Sequence, residues 1–124
     1  MGNEKKFDLQ DRLIDFAVKV IKVTEALPNN GTGNHIRGQL LRCGTSTAAN
    51  YGEAQSAESR SDFIHKIKIV LKELRETKVW MILIQRAGLI KTEERIKTMI
   101  QENDELISIF VKSEQTARRN RKNE

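Results

Sequence analysis

The sequence predicts an all-α fold, an antiparallel up-down bundle of four helices. Apolar residues recur at steps of three and four in four separate segments, which is the spacing of one helix face. The chain has a single proline, so long helices stay uninterrupted. Short connections between the segments place consecutive helices side by side in opposite directions. The 124 residues suit one domain over residues 1–124, with a short basic tail at about 118–124.

The first helix is predicted over residues 8–27. The side chains that form its inward face are Phe7, Leu9, Leu13, Phe16, Ala17, Val20, Val23, Thr24 and Leu27. The helix stops at Pro28, which is followed by two asparagines and Gly31.

The second helix is predicted from a cap at Asn34 to about Ser56. Its inward stripe is weaker and uses smaller residues: Ile36, Leu40, Leu41, Cys43, Thr47, Ala48 and Tyr51. Gly38, Gly44 and Gly52 lie inside this helix, and each costs up to about 1 kcal/mol relative to alanine. We therefore expect these glycines to allow close packing against a neighbouring helix.

Ser59 and Asp62 predict the start of a third helix, which runs to about Arg86 and is turned out by Gly88. Its core seam is Phe63, Ile67, Val70, Leu74, Thr77, Met81 and Ile84. Thr92 opens a fourth helix with two glutamates in its first turn, where acids are favourable. The inward residues of this helix are Ile96, Met99, Ile100, Leu106, Ile107 and Phe110.

The third helix also carries an outward face opposite its core seam, because successive residues turn by about 100°. This face consists of Lys68, Lys72, Arg75, Val79, Leu83 and Arg86. Its second half is apolar, with Ile82 nearby and Ile69 and Trp80 toward one flank. A monomer gains little from exposing such side chains, so Val79, Trp80, Ile82 and Leu83 are candidate subunit-interface residues. The alternative is that the fourth helix or the tail covers them.

The formal net charge is +5 and the sequence pI is about 9.5. Residues 1–62 carry 8 basic and 8 acidic side chains, whereas residues 63–124 carry 14 and 9. A basic excess favours nucleic acid, an acidic partner or solubility alone. In an oligomer, Lys68, Lys72, Arg75 and Arg86 would be repeated by symmetry and are candidate contacts to an RNA or DNA backbone. Arg118, Arg119, Arg121 and Lys122 would add charge from the tail.

A solvated charged face is the alternative interpretation of the same stripe. Glu73 and Glu76 interleave with the cations, and Lys72 can pair with Glu76 one turn along the helix. No RNA-reading motif accompanies the stripe.

The sequence does not predict an enzyme, a metal site or a cofactor. His35, His65 and Cys43 are too few and too scattered for a recognisable zinc or nucleophile site. Gly31 and Gly33 lack the third glycine of a dinucleotide fingerprint. We expect a cytoplasmic protein without a membrane segment, because the sequence contains no apolar run near 18 residues and no leader pattern.

Residues 39–53 are dense in small side chains, and the segment Ser59-Arg60-Ser61-Asp62-Phe63 and a long run to Ile84 follow. In these segments the chain resembles the four-helix bundle proteins encoded in intervening sequences of bacterial 23S rRNA genes. The resemblance implies the bundle fold and a homopentameric, barrel-like assembly. It also places Arg42, Asn50 and Glu53 on the family's small-residue motif, where we expect a structural role. There, Glu53 would accept bonds from a neighbouring helix or from Arg42, and Ala54 replaces a frequent glycine.

The sequence predicts no specific biochemical activity. Our leading prediction is a non-enzymatic helical bundle that self-assembles, with a homopentamer favoured, and acts as a scaffold or accessory protein. One alternative is an RNA- or DNA-binding protein that uses the basic face of the third helix. A second is a carrier of a small ligand in the bundle interior.

Overall fold

The structure confirms the all-α, four-helix arrangement. The computed structural model describes residues 8–122, except for the side chain of Lys122, so the predicted core residue Phe7 and the tail side chain of Lys122 lie outside the described part. The helices are α1 (Leu9–Ala26), α2 (Gly31–Gln55), α3 (Arg60–Ala87) and α4 (Glu93–Lys122).

The first helix begins and ends where its sequence predicts. Asp8 caps it, because the Asp8 Oδ1 accepts a bond from the Asp11 N–H at 2.9 Å. Leu27 adopts an extended conformation immediately before Pro28, as expected for the residue that precedes a proline.

The second helix begins four residues earlier than predicted. Asn30 is its cap, since the Asn30 Oδ1 accepts a bond from the Gly33 N–H at 2.8 Å. The predicted cap Asn34 lies inside the helix and accepts a bond from Arg37. Gly33 makes the early start feasible, because a Cβ there would lie only 1.8 Å from the Pro28 carbonyl oxygen.

One glycine of α2 has the close-packing role expected of all three. A Cβ on Gly44 would lie 2.7 Å from Val20 Cγ1 of α1, whereas a Cβ on Gly38 would meet nothing within 4 Å. A Cβ on Gly52 would approach the Gln10 amide oxygen at 3.2 Å. The buried Ala54 lies within α2 and has no positive φ, so this position needs no glycine.

The third helix has both predicted ends. The Ser59 Oγ accepts a bond from the Asp62 N–H at 3.0 Å, and Gly88 ends the helix at φ 62° and ψ 38°. That left-handed conformation favours glycine.

The fourth helix continues into the segment predicted to be a frayed tail. It begins at Glu93, directly after the predicted start at Thr92, and reaches Lys122. Ala117 is buried, and Arg118 donates to Glu114 at 3.0 Å. These two contacts extend the helix past residue 118.

The helices pack so that α2 lies against α1 and α3, and α4 lies against α3 and more lightly against α1. Of the α3 core seam, Ile67, Val70, Leu74, Met81 and Ile84 are fully or almost fully buried, as is Thr77. Asn103 ties α4 to α3 by donating to the Leu74 carbonyl oxygen at 2.9 Å. Among residues 8–122, none of the helices combines the length and apolar character required to cross a membrane.

Candidate oligomer interface and basic face

The outward face of α3 lies on the surface of the bundle. We call it the α3 outer face and define it by Lys68, Lys72, Arg75, Val79, Leu83 and Arg86. All six side chains are exposed, and Val79 and Leu83 are 56% and 46% exposed. Neither α4 nor its last turns cover them within the described part of the chain.

Trp80 and Ile82 flank this face and are half-buried. The Trp80 indole N–H donates to Glu76 Oε2 at 3.1 Å, and the ring meets His35 edge-on with centroids 5.8 Å apart. Trp80 therefore contacts its own chain, whereas Val79 and Leu83 present about half of their surface to solvent.

The cations of the α3 outer face have no acidic partners among the described residues. Between residues 8 and 122, Lys68, Lys72, Arg75 and Arg86 form no ion pair, although Glu73 and Glu76 lie on the same helix. The expected pair between Lys72 and Glu76 does not form, because both glutamates turn toward Arg42 of α2.

Arg42 is the centre of a polar network between α2 and α3. Its Nη1 donates to Glu73 Oε2 at 3.1 Å, its Nη2 donates to Glu76, and the Ser46 hydroxyl donates to Glu73 Oε2 at 3.0 Å. Only 7% of Glu73 is exposed, and a buried carboxylate requires such donors. Sequence reasoning missed this network, although Glu73 lies between the seam residues Val70 and Thr77.

The other two residues of the small-residue motif bond separately. Glu53 accepts from the Lys66 ammonium of α3 at 2.6 Å, not from Arg42. The Asn50 amide donates to the Ser46 carbonyl oxygen of its own helix at 3.0 Å. Glu53 therefore joins α2 to α3, whereas Asn50 bonds within α2.

A groove of about 350 Å³ between α3 and α4 borders the basic half of the α3 outer face. Its lining residues are Lys68, Leu71, Lys72, Arg75, Val111 and Glu114. Glu114 is only 8% exposed, and its Oε1 accepts from Arg118 while its Oε2 has no partner among the described residues. The negative charge of Glu114 therefore lowers the positive potential in this groove.

The first helix carries a second exposed apolar stripe that the sequence analysis did not identify. Ile14, Val18 and Ile21 are 44%, 43% and 39% exposed. Leu41 on the adjacent α2 is 39% exposed, so its predicted place in the inward stripe of that helix was wrong. The sequence does show this stripe, since Ile14, Val18 and Ile21 are spaced by four and then three residues. The inward stripe of the same helix has the same period, however, and masks it. We define the α1 outer face by Asp11, Ile14, Asp15, Val18, Ile21, Lys22 and Glu25.

The side chains with metal-binding or nucleophilic chemistry lie apart from these faces or apart from each other. No group of three or more His, Cys, Asp or Glu side chains within residues 8–122 is placed to hold a metal ion. Cys43 is fully buried and accepts a bond from the Thr77 hydroxyl at 3.2 Å. Burial raises the pKa of the Cys43 thiol, which lowers its nucleophilicity near neutral pH.

A second groove, of about 460 Å³, lies at the surface between α1 and α4. It is lined by Lys19, Thr92, Glu94, Arg95, Thr98 and Met99. Most of these side chains are exposed, so this groove lies outside the bundle interior.

The comparisons with known proteins agree with this architecture. A solved structure described as a protein with unknown function from the S23 ribosomal protein family of Bacteroides thetaiotaomicron is similar to the chain. It has a TM-score of 0.76 and 34% sequence identity, over 83% of this chain and 94% of that one. No curated protein matches the chain. The family model of the 23S rRNA-intervening sequence proteins matches residues 5–112, and the chain therefore belongs to that family.

Proposed function

We propose that this chain is a non-enzymatic, cytoplasmic helical bundle that assembles with copies of itself, as a homopentamer, and serves as a scaffold or accessory protein. The observation that supports this proposal most is the exposure of Val79 and Leu83 on adjacent turns of α3. Fully burying one such side chain stabilises a protein by about 1.5–3 kcal/mol. A second subunit would provide that burial, and the family resemblance supports the count of five.

The experiment is a change of these two residues to acids. Val79→Glu with Leu83→Glu should leave the helical content unchanged by circular dichroism, because both side chains are exposed. The mass measured by light scattering should fall to the 14.2 kDa of one chain. The matched control is Gln101→Glu with Gln115→Glu, which adds the same charge at exposed positions of α4 and should leave the mass of the assembly unchanged. A wild-type protein that is already monomeric, or a Val79 and Leu83 variant that keeps its mass, would exclude the proposal.

Nucleic-acid binding is a second candidate function, and one observation favours it. Lys68, Lys72, Arg75 and Arg86 are exposed and form no ion pair with the described residues, so phosphates would replace no existing bond. Each neutralised phosphate releases counterions and makes the affinity dependent on salt. Symmetry would repeat the cations in an oligomer.

The test of this second candidate changes two cations in the basic half of the α3 outer face, Lys68 and Arg75. A single-stranded RNA should bind wild-type protein with a steep salt dependence. Lys68→Glu with Arg75→Glu should weaken binding and reduce the slope of log K against log salt by roughly 1 to 2. Lys97→Glu with Lys112→Glu, at exposed positions of α4, is the charge-matched control. Salt-independent binding, or equal loss in both variants, would exclude this candidate.

A further inference from the structure

We propose that the α1 outer face of one copy docks in parallel on the α3 outer face of the next copy, with Val18 against Val79. This inference rests on the proposed self-assembly and names the two surfaces that meet. The occupant of the exposed apolar stripe on each helix is thus a second copy of this chain.

The first support is a match in spacing. Asp11, Val18 and Glu25 are seven residues apart on α1, and Lys72, Val79 and Arg86 are seven residues apart on α3. Positions seven apart lie on one side of a helix, and parallel helices pack with this repeat. All six side chains are exposed. From the amino end, one row reads acid, valine, acid and the other reads base, valine, base.

The second support is that these charges lack ion-pair partners in the part of the chain that the structure describes. Asp11, Glu25, Lys72 and Arg86 form no ion pair within residues 8–122. The α1 outer face carries three carboxylates, Asp11, Asp15 and Glu25, against the single ammonium of Lys22. The hydrogen bond with Asp8 and the nearby Asp8 charge raise the pKa of Asp11, so a cation from a partner would relieve repulsion at this end of α1.

The third support is the position of the two faces in the bundle. In an up-down bundle α1 and α3 point the same way, and here both pack on α2 and on α4, which places them diagonally. Each copy therefore presents its two faces on opposite sides. When α1 docks on the α3 of the next copy, the two partners contribute different surfaces. An open chain of copies therefore keeps one unoccupied α1 outer face and one unoccupied α3 outer face at its two ends, until a ring closes.

Charge reversal with rescue tests the pairing. Asp11→Lys with Glu25→Lys places cations opposite Lys72 and Arg86, and Lys72→Glu with Arg86→Glu places acids opposite Asp11 and Glu25. Each double variant should weaken assembly by about tenfold or more, because like charges would then face each other. The chain with all four changes restores opposite charges and should regain most of the assembly. Circular dichroism confirms that each variant folds.

Cross-linking tests the register independently. A chain with Val18→Cys and Val79→Cys should form a ladder of disulfide-linked oligomers under mild oxidation, since Cys43 is buried and should not compete. Val18→Cys with Gln115→Cys, which places the second thiol on an exposed site of α4, should form no such ladder. Each single-cysteine variant should also stay unlinked, because the two partners contribute different faces.

The outcomes distinguish a failure of this pairing from a failure of the proposed self-assembly. A monomeric wild-type protein would remove both. An oligomer that is indifferent to charge reversal and gives no ladder would retain self-assembly and overturn this pairing, as would efficient linking by Val18→Cys alone. If Lys72→Glu with Arg86→Glu abolished RNA binding while the mass stayed unchanged, those cations would belong to a nucleic-acid site and the pairing would be wrong.

Discussion

Glu73 shows how one buried charge can orient two helices. The Glu73 carboxylate lies almost entirely inside the contact between α2 and α3, and it accepts bonds from Arg42 and Ser46. Both donors bond the same oxygen, Oε2, and leaving it without a donor in such a place costs about 1–3 kcal/mol. The network therefore favours one register of α2 against α3, which apolar packing alone would specify less sharply.

A double-mutant cycle measures this network. Arg42→Ala should lower the free energy of unfolding, because it removes a donor from the buried Glu73 carboxylate. Glu73→Ala should lower it less, because Arg42 is half exposed and still pairs with Glu76. The double variant should be more stable than the sum of the two losses implies, by about 0.5–3 kcal/mol. Urea unfolding followed by circular dichroism provides the values, and Gln101→Ala, at an exposed site of α4, serves as the neutral control. Strictly additive losses would show that the two side chains act independently.

Two glycines of α2 should respond in opposite directions to the same change. Gly44→Ala places a Cβ within 2.7 Å of Val20 and should destabilise the protein by about 1–3 kcal/mol through overpacking. Gly38→Ala adds a Cβ in open space and should stabilise the helix by up to about 1 kcal/mol. Thermal unfolding of both variants checks this difference. Equal effects at both sites would contradict the close approach of α1 to α2.

The helices show how much of an element its own sequence specifies. The ends of α1 and α3 were predictable because Asp8, Pro28, Ser59 and Gly88 are strong local signals. The start of α2 was not, because two asparagines can act as its cap and the choice depends on a tertiary contact between Gly33 and Pro28. The continuation of α4 likewise depends on the burial of Ala117.

The candidate faces were predictable to a similar extent. The α3 outer face follows from the strong core seam of that helix, which fixes the opposite side. On α1 the predicted inward face correctly omitted Ile14, Val18 and Ile21, but the inward and outward stripes share one period, so these three were not recognised as an exposed stripe. The side-chain orientations of Glu73 and Glu76 depend on their rotamers and on Arg42 of another helix. A helical wheel shows neither.

One charged side chain of the first helix makes a bidentate bond to α4. Arg12 donates through Nε and Nη2 to the two oxygens of Glu102, both at 2.8 Å, and this bond raises the pKa of Arg12. Such a bidentate pair requires the planar guanidinium group. Because α1 and α4 otherwise meet lightly, this pair should influence how readily α1 separates from α4.

Arg12→Lys tests that role. The change keeps the charge and loses the bidentate geometry, so it should lower stability by about 0.5–1 kcal/mol, since the pair is partly exposed. Hydrogen exchange should rise in α1 before it rises in α2 or α3. Lys22→Arg, at an exposed position of the same helix, is the control. Unchanged protection of α1 in the Arg12 variant would assign its attachment to apolar contacts instead.

At the scale of the whole molecule, charge and apolar surface are distributed unevenly. The excess positive charge lies in residues 63–124, and much of it is presented by the α3 outer face. The α1 outer face is acidic on balance, and each face carries exposed valine with isoleucine or leucine. A single chain thus presents two faces that complement each other and that it cannot itself bring together, which is the basis of the proposed assembly.

Native mass spectrometry of the full chain tests this account most directly. We expect a complex whose mass is five times the 14.2 kDa of one chain, without added ligand or nucleic acid. The complex should revert to single chains when Val79 and Leu83 are both changed to glutamate. A spectrum of 14.2 kDa monomers at concentrations of tens of micromolar would contradict the central claim.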